Sequence, residues 1–282
     1  MRKVVDKIME IVFLVLACVS IVAVVLVCYF MFSRGIPAIK QIGFGEFITG
    51  KIWKPTYDYF GILPMIVGSL LVTAGALVIG VPVGIFMAVF MARFCPPVIY
   101  KIANPIVNLL AGIPSIIYGF FGMMIVVPFV REHIGGKGYS ILSASIILGI
   151  MILPTIISVS EAAIKAVPES YYEGALALGA TKEISVFKTV LPAAKSGIMA
   201  AVTLGIGRAI GETMAVQMVV GNQARLPHSI LDGVRTLTTN IVTEMGYAAD
   251  LHREALIATG VVLFVFILII NLLLAFIKRR KD

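Results

Sequence analysis

The sequence predicts an all-α, polytopic membrane protein with about six transmembrane helices, and three observations carry that prediction. Hydrophobic residues make up 60% and charged residues 13% of the 282 positions, with a mean hydropathy of +1.03, outside the range of soluble globular domains. The apolar residues gather into runs of about twenty or more, each long enough to cross a hydrocarbon core about 30 Å thick. The cations sit mainly in short segments beside those runs, so the formal charge of +8 reads as membrane topology and not as a nucleic-acid footprint.

The first run, residues 8–32, follows Arg2, Lys3 and Lys7 and exceeds the apolar middle of a signal peptide, so it predicts a retained span. Cys18 and Cys28 within it, and Cys95 in a later short loop, have neither metal-ligand spacing nor an obvious disulfide partner and serve as small apolar filling. Residues 33–63 hold Gly35, Pro37, Gly43, Gly45, Trp53, Pro55, Tyr57, Tyr59 and Phe60. That mixture predicts a turn-rich outer loop that rests on the membrane or faces a partner. Residues 1–63 thus form an N-terminal span with its loop, and residues 64–282 a transmembrane domain with spans at 64–91, 105–128, 139–160, 193–220 and 255–277.

In the third span Gly112 and Pro114 withdraw helix support. Pro114 has no amide to donate to the carbonyl of Leu110, so a kink or break is expected, with Ser115 and Tyr118 placed to satisfy freed polar groups. The segment is either a well-packed kinked helix or a break facing a hydrated path. The last outer loop, residues 221–254, contains His228 and His252. With His133 these make up the histidines, which share no metal-like spacing and read as solvated surface.

Six spans place both termini on one side. Thirteen cations fall there, in Arg2, Lys3, Lys7, Arg93, Lys101, Lys165, Lys182, Lys188, Lys195 and the terminal run Lys278 to Lys281, against nine on the other side. The positive-inside rule makes the richer side the cytoplasm and the bilayer a prokaryotic inner membrane.

Between the fourth and fifth spans lies a polar island, residues 161–192. Tyr172, Ala175, Leu176 and Gly179 recur at helical spacing, which predicts a short amphipathic helix over 169–178. Gly179 tolerates the left-handed conformation that ends a helix. Thr181 can cap a second helix through Lys182, Glu183, Phe187 and Lys188 before Pro192 opens the next span. Periodicity alone fits either a docking element or an interfacial connector.

One clear pair of ionisable residues lies deep in apolar sequence, Arg208 and Glu212. Four apart, they are expected to share a helix face. A charge at the bilayer centre costs about 2.5–3.5 kcal/mol on insertion scales, so the pair should face the bundle interior or a pathway. It reads either as a structural salt bridge or as an anion gate, with the guanidinium offering bidentate donors to a tetrahedral oxyanion and Glu212 neutralising it between passages. Gly205, Gly207 and Gly211 around them permit close helix contact or leave room for a hydrated anion.

Glu173, Gly174, Ala175, Gly179 and the distal Leu191-Pro192 resemble the EAA motif of permease subunits of ATP-binding cassette importers, with Gly174 standing where the motif has its first alanine. The runs AGIPSIIYGFFG (111–122), ALGATKEISVFKTVLP (177–192) and GIGRAIGETMAVQMVVGN (205–222) resemble the permeases of the phosphate-specific importer, most of all its PstC-type subunit, over about residues 60–222. The resemblance implies a type I (MetI-like) importer permease core. It also implies an ATPase-coupling surface at Glu173 to Gly179 with Leu191 and Pro192, and phosphate translocation at Arg208 and Glu212. The implied partners are a second, PstA-type permease, two ATP-binding cassette ATPases and an extracytoplasmic phosphate-binding protein. The chain has no G-x-x-x-x-G-K-[ST] loop, so this reading makes it a transport subunit without bound cofactor and places ATP on the partner ATPases. The alternatives are a permease for molybdate or sulfate, the sister phosphate permease, an ion-coupled secondary transporter using Glu212 as proton carrier, and a fluxless sensor.

Overall fold

The computed structural model describes residues 2–279, and helices dominate it. Of the predicted cytoplasmic cations, Arg280 and Lys281 lie outside the described residues, as do the side chains of Arg2, Lys3, Lys278 and Arg279. Among the described residues five helices are long and apolar enough to cross a membrane, or six if one bent pair is a single span.

Helix α1 (Arg2–Ile42) runs well past the predicted span. Gly35 lets its far end close onto the last helix, since a Cβ there would stand 2.7 Å from Val261 Cγ2, and Phe32 meets Phe264 edge-on at 5.8 Å between ring centroids. The predicted outer loop is ordered: α2 (Phe44–Thr49), then β1 (Trp53–Lys54) and β2 (Tyr59–Phe60) pair as an antiparallel hairpin with Trp53 opposite Phe60. Phe47, Trp53 and Phe60 are buried against Leu237, Ala255 and Leu256. These aromatics therefore turn inward to this chain's own core, while Tyr57 and Tyr59 stay exposed.

Helix α3 (Leu63–Phe94) is followed by α4 (Pro97–Gly112), α5 (Ser115–His133) and α6 (Ile141–Lys165). The centre of the bundle is the α3–α6 contact, which small residues make close. A Cβ on Gly80 would approach Ile152 Cδ1 to 2.8 Å and one on Gly84 would approach Ile156 Cγ2 to 2.7 Å. Ser145 Oγ donates across it to the carbonyl of Val72 at 3.2 Å. Without a hydrophobic drive between helices in lipid, such approach is how spans associate.

The chain continues as α7 (Glu169–Ala177), α8 (Lys182–Ala193) and α9 (Lys195–Gly211), α10 (Met214–Val219), α11 (Leu237–Glu244) and α12 (Asp250–Arg279). The third predicted span is broken where Pro114 is expected to interrupt it, since α4 stops at Gly112 and α5 begins at Ser115. The fifth is corrected: it opens at a 69° bend between α8 and α9 and breaks again before α10. Pro192 accordingly sits in the last turn of α8, and the bend follows at Ala194.

Three helices contain a π-helical turn, at Phe90–Phe94, Gly122–Val126 and Val186–Val190. The first and last helices pack together, and Arg34 and Glu254 pair between them at 3.8 Å.

Candidate functional site

Gly205 sets the position of Arg208. A Cβ at 205 would lie 3.1 Å from Ile156 Cγ1, so its absence lets α9 press onto α6, and Arg208 follows one turn later. The guanidinium is half-buried and its Nη1 donates to Thr155 Oγ1 at 3.4 Å. Thr155 follows Pro154, which takes an amide out of the α6 ladder at this depth. By contrast Gly207, Gly211 and Gly112 face open space, with no neighbouring atom within 4 Å of a built Cβ. The glycines therefore divide between close contact at 205 and room at 207 and 211.

The expected ion pair does not form. Helix α9 ends at Gly211, and Glu212 has extended backbone with φ −69 and ψ 132, so four-residue spacing no longer means a shared face. Glu212 Oε1 accepts instead from the amide of Ala215 at 3.2 Å, and its carbonyl accepts from Thr238 Oγ1 at 3.0 Å. The carboxylate thus serves the start of α10, whose first amides have no helical partner. Among the described residues no carboxylate lies within ion-pair distance of Arg208, so Glu212 does not neutralise Arg208 in this conformation.

The α4–α5 break lies beside this region. Ile113 and Pro114 are extended, and the Leu110 carbonyl that Pro114 cannot serve accepts from Tyr118 Oη at 2.8 Å. Ser115 opens α5. Tyr118 is buried and within electrostatic reach of Arg208. Gly119 brings α5 against α10, since a Cβ there would stand 2.9 Å from Ala215 Cα. Both interrupted helices thus converge, leaving irregular backbone at mid-bundle, where it is tolerated only against protein or a water-filled cavity. Above the second break Lys137, Gln217, Asn222 and Gln223 contribute to the lining of a pocket of about 300 Å³.

At one end of the bundle, α7 and α8 form the hairpin expected from the polar island. Gly179 takes φ +83, and the amide of Ala180 reaches the carbonyl of Ala175 at 3.1 Å while that of Gly179 reaches Leu176 at 2.9 Å, a closure that satisfies the last carbonyls. Thr181 Oγ1 accepts from the Ile184 amide at 3.4 Å. The island begins later than its sequence suggests. Glu161 is buried in the last turns of α6, where it accepts from Tyr100 Oη at 2.8 Å and pairs with Lys165 at 2.6 Å.

The predicted sticky face is partly used within the chain. Tyr172 lies under the Arg93 guanidinium at 5.7 Å, Arg93 pairs with Glu169 at 2.7 Å, and Leu191 packs into the cluster around Val186, Val190 and Ile198. Among the exposed residues of α7 and the turn after it are Tyr171, Glu173, Gly174, Leu176, Leu178 and Gly179, with Ala175 half-buried and Pro192 exposed on α8. Leu178 is 91% exposed.

The third polar centre was not read from the sequence. Glu244, 6% exposed, accepts from Trp53 Nε1 at 2.8 Å, pairs with Arg235 and meets His252 Nε2 at 2.8 Å. Burial pushes its carboxyl up, but the bonds from Trp53, Arg235 and His252 outweigh burial and hold it below the usual carboxylate range. His252 is therefore a structural partner of Glu244 and not solvated surface, because α12 carries it under the β-hairpin. His133 and His228 are exposed.

A helical membrane domain with interrupted spans around an arginine that has no carboxylate partner among the described residues, and with an uncovered helix at one end, has the architecture of a transport permease. The chain belongs to the binding-protein-dependent transport system inner membrane components, a family that matches residues 80–282. It is 39% identical to the probable ABC transporter permease protein YqgH of Bacillus subtilis, over 94% of this chain and 88% of that one. It is 34% identical to the phosphate transport system permease protein PstC of Mesorhizobium japonicum, over 89% and 83%.

The permease fold is shared with solved transporters. A bacterial ABC transporter that imports the acidic polysaccharide alginate superposes with a TM-score of 0.63 at 17% identity, covering 94% of this chain and 95% of that one. The inward-facing MetNI methionine transporter gives 0.59 at 23% identity, covering 82% and 100%.

Proposed function

We propose that this chain is the membrane-spanning permease subunit of an ATP-driven phosphate importer. The observation that carries the proposal is Arg208, held half-buried beside two interrupted helices with no carboxylate partner among the described residues. A cation at that depth costs about 2.5–3.5 kcal/mol on insertion scales, and an anion passing the breaks is the group it is placed to meet. The resemblance to PstC proteins narrows that anion to phosphate.

In this reading α7 and both termini face the cytoplasm, and Glu173 to Gly179 dock on one of two partner ATPases that hold and hydrolyse ATP. A PstA-type second permease completes the path on the open side of Gly112 and Gly211, and an extracytoplasmic phosphate-binding protein meets the outer cap. Closure of the ATPases rocks α7, and the interrupted helices open around Arg208.

The test is uptake of radiolabelled phosphate by the reconstituted complex, with ATP and binding protein inside and outside the vesicle as the topology requires. Arg208→Ala is expected to lower uptake by about 100-fold or more, the loss of a charge-assisted contact made in transit. Normal uptake by an assembled Arg208→Ala complex, or full uptake by this chain alone under a proton gradient, overturns the proposal, and suppression of uptake by sulfate at equal concentration overturns the choice of phosphate.

A further inference from the structure

We propose that Thr155 is the positioning residue of Arg208, an uncharged tether that holds the guanidinium on the pathway between passages while leaving its charge available. This deepens the functional reading above and rests on Arg208 meeting the anion.

The geometry has three parts. Arg208 Nη1 reaches Thr155 Oγ1 at 3.4 Å, across two helices and 53 positions of sequence. A contact that long is loosely made and readily exchanged. Glu212, the carboxylate that sequence spacing offers to Arg208, is turned away by the end of α9 and accepts from the Ala215 amide. Pro154 precedes Thr155 in α6 and Gly205 draws α9 onto Ile156, so the two residues are brought level by features of both backbones.

The chemistry follows from the partner's lack of charge. A carboxylate here would compete with the substrate for the guanidinium and neutralise the field that draws an anion in. A threonine hydroxyl accepts one N–H, biases the fork's direction through that loose contact, and leaves the remaining donors and the whole positive charge uncommitted, near the space left at Gly207 and Gly211.

The experiment uses the whole complex in vesicles, with phosphate uptake and ATP hydrolysis measured together at saturating phosphate-loaded binding protein. Thr155→Val, which keeps the shape and removes the acceptor, is expected to lower phosphate transported per ATP hydrolysed about tenfold, the range for losing a hydrogen bond to a charged group. Thr155→Ser is expected to restore it to within about twofold. Thr155→Asp is expected to reduce the ratio about 100-fold by pairing with Arg208.

Parallel loss of uptake and ATP hydrolysis in Thr155→Val would mark a packing defect and overturn the proposal. So would a Thr155→Val ratio equal to the parent's, a Thr155→Ser as poor as Thr155→Val, or a Thr155→Asp that transports like the parent. Arg208→Ala separates the two levels: if it leaves the ratio unchanged, the functional reading fails; if it abolishes transport while Thr155→Val does not, only the tether fails.

Discussion

The cap around Glu244 and the α7 hairpin solve opposite problems with similar materials. In the cap, Trp53, Arg235 and His252 converge on the buried carboxylate of Glu244, so a hairpin, a loop and α12 are tied together by groups this chain supplies itself. In the hairpin, α7 has no buried residue and Leu178 is 91% exposed, although Arg93 joins the helix to α3 through Glu169 and Tyr172. One end is closed by its own residues. The other is a mount for an apolar knob that none of the described residues covers, which is the form of a surface completed by a second polypeptide.

The contrast is broken most severely at Glu244. Glu244→Gln leaves Arg235 buried without its counter-charge, and a loss of about 3–5 kcal/mol is expected, read as a fall in the thermal midpoint of the purified protein in detergent. The ATPase affinity of the fraction that remains folded should not change.

Leu178→Glu is the reverse case. Folding stability should stay within about 0.5 kcal/mol, as at other exposed positions, whereas association with the ATPase subunit should weaken about 30-fold, the loss of one interface anchor, measurable by co-purification and titration. A fall in stability with unchanged association would reverse the assignment of the two ends.

Gly179→Ala probes the mount itself. At φ +83 a Cβ costs about 1–2 kcal/mol, and part of that strain should appear as weaker ATPase stimulation. Smallest is the response to acid. The folded Glu244 carboxyl releases its proton more readily than the unfolded one, whose pKa is about 4.3, so the cap's contribution is complete above that pH and is lost as pH falls toward and through the depressed folded value. Glu244→Gln should remove that part of the acid sensitivity.

The hairpin was legible in the sequence because its rules are local: a glycine that can go left-handed, a threonine that can cap, and a repeat of apolar positions three and four apart. The Pro114 break was legible for the same reason, down to the Leu110 carbonyl that Tyr118 serves. What spacing could not reveal was where a helix stops. Arg208 and Glu212 share a face only if α9 runs through Gly211, and it does not. Thr155 and Glu244 were out of reach for another reason, since their partners lie 53 and as many as 191 positions away. Two clues were present all the same: the single Trp of the chain lies in an otherwise turn-rich stretch, and a proline sits inside the fourth span directly before a threonine.

The π-helical turn at Val186–Val190 lies within α8, just ahead of the bend that leads to Arg208. Such a turn holds one residue more than a regular one, and a single residue is worth about 100° of azimuth around a helix. The wider turn absorbs that surplus residue, so the compass heading of everything downstream is kept: a chain shortened by one position there would close into a regular α-helical turn and leave its guanidinium in the same quadrant of the bundle.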